Sequence, residues 1–111
     1  DLPPPPPPPE GGEAGVDNDS LDAEARGIFL AGKAAYGDAR YEDALRHFKR
    51  AYELSKRPVL LFNIGQAADK LRRDREALDA FKAYLEQVPG GEGQREAESR
   101  VRVLERVLDP K

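Results

Sequence analysis

The amino-acid sequence predicts an all-α protein built of antiparallel helix-hairpin repeats, with about five helices. Three observations support this fold class. Apolar residues recur at helical spacing from Leu21 almost to the end, no segment alternates with a period of two, and the chain resembles itself after a shift that places Phe29 on Phe62. Short breaks divide the pattern into expected helices at about 21–36, 41–55, 58–71, 75–87 and 93–108.

The first nineteen residues predict a linker that precedes the folded domain. An unbroken proline run over 3–9 is followed by glycine and acidic residues. This composition cannot bury a core, so we expect 1–19 to be a disordered Pro/Gly-rich spacer and 20–111 to be the folded domain. A ligand for a proline-recognising domain is the alternative, but no aromatic or basic neighbour fixes an orientation for one.

Capping and turn residues mark where the helices begin and end. Asp19 or Ser20 can cap a first helix that begins at Leu21, because their side chains accept hydrogen bonds from free backbone N–H groups. Gly37-Asp38, Arg73-Asp74 and Pro89-Gly90-Gly91 predict short connections. Pro58 suits the first turn of the third helix, where its missing N–H costs nothing.

The internal repeat is the most informative feature of the sequence. Many identities fall in a single register: Phe29/Phe62, Gly32/Gly65, Ala34/Ala67, Ala35/Ala68, Arg40/Arg73, Ala44/Ala77, Leu45/Leu78, Phe48/Phe81, Lys49/Lys82 and Glu53/Glu86. Small residues on the first helix of each pair can face large residues on the second, which predicts close antiparallel packing. One hairpin cannot bury its outer face, so we expect the pairs to stack.

The spacing of these positions resembles the tetratricopeptide repeat. The residues that carry the resemblance are Gly32, Ala44, Phe48 and Ala51, repeated as Gly65, Ala77, Phe81 and Tyr84 and closed by Pro89. The sequence departs from the family in its period of 33 instead of about 34, in the aliphatic Ile28 and Leu61, and in Lys56, where a proline is usual. The resemblance implies repeats at about 25–57 and 58–90.

The last segment predicts a capping helix at about 93–108. Its apolar stripe comprises Ala97, Val101, Leu104 and Leu108, widened by Val103 and Val107. We expect this helix to cover the open end of the second pair. The first helix of a third repeat is the alternative.

A second stripe on the first helix of each pair predicts a peptide-binding groove. The expected groove residues are Phe29, Lys33, Tyr36, Phe62, Asn63, Gln66 and Asp69. The resemblance implies that this face lines a concave groove, and aromatic rings with an amide suit a bound peptide. In one alternative, the two phenylalanines belong to the core and the polar residues are merely solvated. In another, the last helix folds over the groove and fills it.

The composition argues against an enzyme or a nucleic-acid-binding protein. Cysteine is absent, His47 is the only histidine, and the glycine-rich run 90–93 lacks the ending of a phosphate loop. The basic cluster at 70–75 is interrupted by acids and lacks interleaved aromatics. We therefore expect no catalytic residues, no cofactor, no metal and no nucleic acid.

Two functions remain as expectations. The first is a protein-protein interaction module that binds a peptide or helix of a partner protein. The second is a structural, assembly or spacer domain that acts through self-association. A missing initiator Met followed by a proline spacer and a small repeat domain resembles the mature start of an exported bacterial envelope protein. We therefore expect the periplasm or cell envelope, with the cytoplasm as the alternative, and any membrane attachment only through flanking segments.

Overall fold

A computed structural model describes residues 18–109, which form five α-helices and contain no strand. The helices are α1 (Asn18–Gly37), α2 (Tyr41–Ser55), α3 (Leu60–Lys70), α4 (Asp74–Gln87) and α5 (Gln94–Leu108). The predicted all-α fold class is confirmed. The predicted linker over 1–19 lies outside the described residues, apart from its last two residues, which belong to α1.

Two helices begin two or three residues away from their predicted starts. Helix α1 begins at Asn18, so Asp19 and Ser20 lie within the helix and do not hold its N-cap position. Helix α3 begins at Leu60, because Pro58 lies in a tight turn in which its carbonyl oxygen accepts a hydrogen bond from the Leu61 N–H at 2.9 Å. A turn of this 3-10 type, with a hydrogen bond between residues three apart, commonly precedes a regular α-helix.

The small-to-large packing predicted for the two hairpins is present. A Cβ atom at Gly32 would lie 2.7 Å from the ring of Phe48, and one at Gly65 would lie 2.9 Å from the ring of Phe81. Both rings are fully buried. The two glycines therefore let α1 approach α2 and α3 approach α4 closely enough for ring and backbone to touch.

The repeat register extends to the backbone conformation of the turns. Ala39 and Arg72, which occupy the same position in the two repeats, both adopt the left-handed conformation, with φ of 63° and 62°. The next residue in each turn donates its N–H to a carbonyl of the preceding helix, Arg40 to Ala35 at 2.8 Å and Arg73 to Ala68 at 2.9 Å. The two hairpins are thus built on one turn geometry, and the repeat is structural as well as sequential.

The core runs along the chain, because each helix packs mainly against the next one. Its buried members include Ala44, Leu45, Leu61, Ala68, Ala77, Leu78 and Tyr84. Helix α5 packs against α4 and buries Ala97 and Leu104, which fits both a capping helix and the first helix of a third repeat. Val107 does not widen this stripe, since its side chain is half exposed on another face of α5. None of the described helices is long and apolar enough to cross a membrane.

Candidate functional site

One stripe of α1 carries three of the predicted groove residues. Phe29 is half-buried and packs on Phe48, with 5.9 Å between the ring centroids. The Nζ atom of Lys33 lies over the Phe29 ring at 5.7 Å, and Tyr36 packs edge-on against Tyr41 at 5.1 Å. Each of these side chains therefore has one side supported by the protein and one side accessible to a ligand.

Phe62 is held by packing on several sides. Its ring lies 5.8 Å from Phe81 and 5.2 Å from Tyr84. The chain before α5 covers it as well, because a Cβ atom at Gly93 would lie 2.6 Å from the Phe62 ring. The Gly93 N–H donates to the Tyr84 hydroxyl at 3.1 Å and fixes this approach. Asn63, the next residue on α3, is half-buried.

Helix α5 lies along α3 and pairs with the other two predicted residues of that helix. Gln66 donates its side-chain N–H to Glu96 at 3.3 Å. Arg100 makes a two-pronged ion pair with Asp69, with N···O distances of 2.6 and 3.0 Å. Gln66 and Asp69 are therefore not merely solvated, and α5 contributes to the same face of the molecule.

Four side chains of α5 on this face were missed by the sequence analysis. They are Glu96, Arg100, Val103 and Val107, which border the same open pocket. Their spacing of four, three and four residues is that of one helical face, so a signal for them exists in the sequence. The apolar stripe predicted for a capping helix included the two valines, and no role was predicted for Glu96 and Arg100.

Two open pockets border the α1 stripe. The α5 pocket, of about 530 Å³, lies between α3, α4 and α5. It is bordered by Tyr36, Gln66, Asp69, Lys70, Arg72, Asp74, Phe81, Glu96, Arg100, Val103, Leu104 and Val107. The α1 pocket, of about 540 Å³, lies between the starts of α1 and α3 and is lined by Arg26, Phe29, Arg57, Val59 and Leu60 among others. We call the surface that holds both pockets and Lys33 the groove face.

The predicted groove residues are divided between these places. Tyr36, Gln66 and Asp69 border the α5 pocket, and Phe29 borders the α1 pocket. Lys33 contacts Phe29 beside the α1 pocket. Phe62 and Asn63 line neither pocket. The structure thus brings five of the seven residues to the groove face and packs Phe62 between α3, α4 and the start of α5.

Burial and neighbouring groups shift the pKa values of two side chains at the α5 pocket. Partial burial raises the pKa of Tyr36 above its ordinary value, and the nearby charges of Tyr41, Glu96 and Asp69 raise it further. Hydrogen bonds to Asp69 raise the pKa of Arg100 and oppose the effect of its partial burial. The raised pKa extends to higher pH the range over which the Tyr36 phenol keeps its proton.

The part of the chain that the structure describes holds no group of three or more residues able to bind a metal ion. His47 lies half-buried on α2. In the basic cluster, Arg73 is paired with Glu42 across the two hairpins at 2.6 Å. This arginine links the hairpins instead of projecting freely.

The chain matches no protein-family model, and no curated protein is detectably similar to it in sequence.

Proposed function

We propose that this chain is a protein-binding module of the tetratricopeptide type that holds a peptide segment on its groove face. The observation that carries the proposal is the pair of open pockets along one stripe of α1, each with apolar residues in its floor and charged residues at its rim. Peptides bind in this way, with apolar anchors in pockets and polar groups around them.

The repeat supports the tetratricopeptide interpretation. Both repeats have the same glycine-to-phenylalanine contact and the same left-handed turn residue, Ala39 in the first and Arg72 in the second. Helix α5 lies beside α3 on the groove face, where its Arg100 pairs with Asp69. In a stacked array of hairpins, the first helix of each further hairpin would lie beside the first helix of the previous one, as α5 lies beside α3, and would extend the groove face.

Three exposed apolar side chains provide a matched test. Val59 and Val107, which are 53% and 51% exposed, border the two pockets, whereas Leu30 is 56% exposed and borders neither. Peptides would be selected on the full chain from an unbiased display library. Val59→Ser and Val107→Ser should each weaken the selected peptides about tenfold, because each removes apolar contact area from a pocket.

Leu30→Ser is the comparison, because it makes the same kind of change at an α1 residue that lines neither pocket. Binding should be affected less by it than by the two pocket variants. Affinities that are insensitive to Val59→Ser and Val107→Ser would contradict the proposal. Circular dichroism of each variant would show that the helices remain formed.

Self-association is a second candidate function, and one surface favours it. Leu30 lies on an exposed face of α1 beside small exposed residues, namely Gly27, Ala31 and Ala34. Small side chains let a second helix approach such a face closely. Sedimentation velocity over a range of concentrations would test it: an assembly that Leu30→Ser dissolves supports this function, and a concentration-independent monomer contradicts it.

A further inference from the structure

The α1 pocket combines an apolar floor with cationic groups at its rim. Phe29, Leu60 and the half-exposed Val59 contribute the apolar surface. Arg26 and Arg57 line the same pocket, and Lys33 lies one helical turn beyond Phe29. A ligand that fits this pocket has a large apolar side chain for the floor and charged groups beside it for the rim.

The rim cations differ in whether a carboxylate already neutralises them. Arg57 is paired with Asp22 at 2.9 Å. Arg26 and Lys33 make no ion pair with any of the described side chains. Both are exposed, so their charges face the solution on either side of Phe29.

The acidic residues of the groove face lie elsewhere or are already paired. Asp69 is bound by Arg100, and Glu96 accepts a hydrogen bond from Gln66 at the α5 pocket. Among the described residues, the α1 pocket is lined by Arg26, Arg57 and one carboxylate, Asp22, and Lys33 lies beside it, so this end of the groove face carries an excess of positive charge. A ligand that complements it has carboxylates beside its apolar side chain.

We infer that the peptide bound on the groove face is acidic, that one large apolar side chain of it enters the α1 pocket, and that flanking carboxylates pair with Arg26 and Lys33. This inference rests on the proposed function and adds to it the chemistry and the orientation of the ligand. The acidic part of the peptide lies over α1, because cations exceed carboxylates at the α1 pocket, whereas Asp69, Asp74 and Glu96 balance Lys70, Arg72 and Arg100 at the α5 pocket.

The probe is a fluorescein-labelled peptide with a leucine between two pairs of glutamates, compared with a counterpart in which lysines replace the glutamates. Fluorescence anisotropy with the full chain should show at least about tenfold tighter binding of the glutamate peptide at low ionic strength. Its affinity should fall as salt is added, because the paired charges are exposed to solvent and are screened.

The double variant Arg26→Gln, Lys33→Gln should weaken the glutamate peptide about tenfold and remove most of its salt dependence. Arg95→Gln, Arg102→Gln is the matched control. It removes the same charge from exposed residues of α5 that line neither the α1 pocket nor the α5 pocket. The control should bind the glutamate peptide like the original chain.

The outcomes separate this inference from the proposed function. Display-selected peptides that are basic or neutral but sensitive to Val59→Ser would overturn the acidic ligand and leave the groove face as a peptide site. Equal loss of glutamate-peptide binding in both double variants would also overturn it. If no peptide responds to Val59→Ser or Val107→Ser, the proposed function itself fails.

Two other occupants are tested in the same experiments. A single-stranded oligonucleotide that binds tighter than the glutamate peptide and is lost in the Arg26→Gln, Lys33→Gln variant would identify a site for phosphates and overturn the inference. Concentration-dependent self-association that this variant abolishes would identify a second copy of the chain as the occupant, with the same consequence.

Discussion

Glycines within the helices of this protein differ in what surrounds them. Gly32 and Gly65 face buried phenylalanine rings across each hairpin, whereas a Cβ atom at Gly27 would meet nothing within 4 Å. Glycine costs a helix about 0.5–1 kcal/mol relative to alanine because of its backbone freedom. That cost is offset by close packing at the first two positions, and nothing in the described residues offsets it at Gly27.

Gly65→Ala should therefore destabilise the protein by about 1–3 kcal/mol, because the added methyl group overpacks against the Phe81 ring. Gly27→Ala should stabilise it by about 0.5–1 kcal/mol. Urea denaturation followed by circular dichroism measures both changes in the free energy of unfolding. Effects of the same sign at the two positions would contradict the packing described for the hairpins.

The raised pKa of Tyr36 predicts a loss of stability in alkali. Below pH 10 this phenol is protonated in both the folded and the unfolded chain. Above that value the unfolded chain loses its proton first, so the free energy of unfolding falls as the pH rises. Tyr36→Phe should reduce the fall, as measured by urea denaturation at several alkaline pH values.

Glu96→Gln tests the source of this shift. It removes one of the negative charges that raise the pKa of Tyr36, so the phenol should titrate at a lower pH than in the original chain. Ultraviolet difference absorption of the phenolate measures this titration, and Tyr36→Phe identifies the signal. An unchanged titration would show that the charge of Glu96 has no part in the shift.

At the scale of elements, α5 is held to α3 by contacts that cross about thirty residues of sequence. The Asp69–Arg100 ion pair is two-pronged, and the Asp69 side chain is only 18% exposed. Pairs with this geometry contribute more than ordinary surface ion pairs, because both donors are aligned on one carboxylate. The pair therefore contributes to the docking of α5.

A double-mutant cycle with Asp69→Asn and Arg100→Gln should give a coupling free energy of about 1 kcal/mol that decreases as salt is added. The matched control is the Arg75–Asp79 pair, which is 3.9 Å apart with both side chains about two-thirds exposed. Its coupling should be close to zero. Equal couplings in the two cycles would contradict a special role for the Asp69–Arg100 pair.

At the scale of the whole molecule, stability is distributed as in a stack. Among the described helices, each packs mainly against its neighbours along the chain, and the first and last of them, α1 and α5, each have one such neighbour. Elements in this position open more readily than those between two neighbours. The groove face includes helices of both kinds: α5, which has one packing neighbour, borders the α5 pocket together with α3, which has two.

Hydrogen exchange should therefore be slowest in α3 and α4 and faster in α5. Arg100→Gln should speed exchange in α5 by about fivefold, which corresponds to about 1 kcal/mol, and leave α1 unchanged. Mass spectrometry of proteolytic fragments would measure these rates. Uniform acceleration along the chain would instead indicate that the five helices open as one unit.

The five helices, the repeat register and the residues that meet within each hairpin all follow from the sequence without coordinates. Helical periodicity is a local property, and a small residue opposite a large one is encoded at the same place in both repeats. This is why the contacts of Gly32 with Phe48, and of Gly65 with Phe81, are predictable.

The placement of α5, and hence the shape of the groove face, depends on tertiary contacts. The direction of α5 is set by the turn before it, where Gly93 lies on the Phe62 ring and donates to Tyr84. No periodic pattern encodes that contact, so Phe62 could not be distinguished from a groove residue. The pairing of Asp69 with Arg100 follows from the same placement, because neither residue's partner can be identified from helical spacing within its own helix.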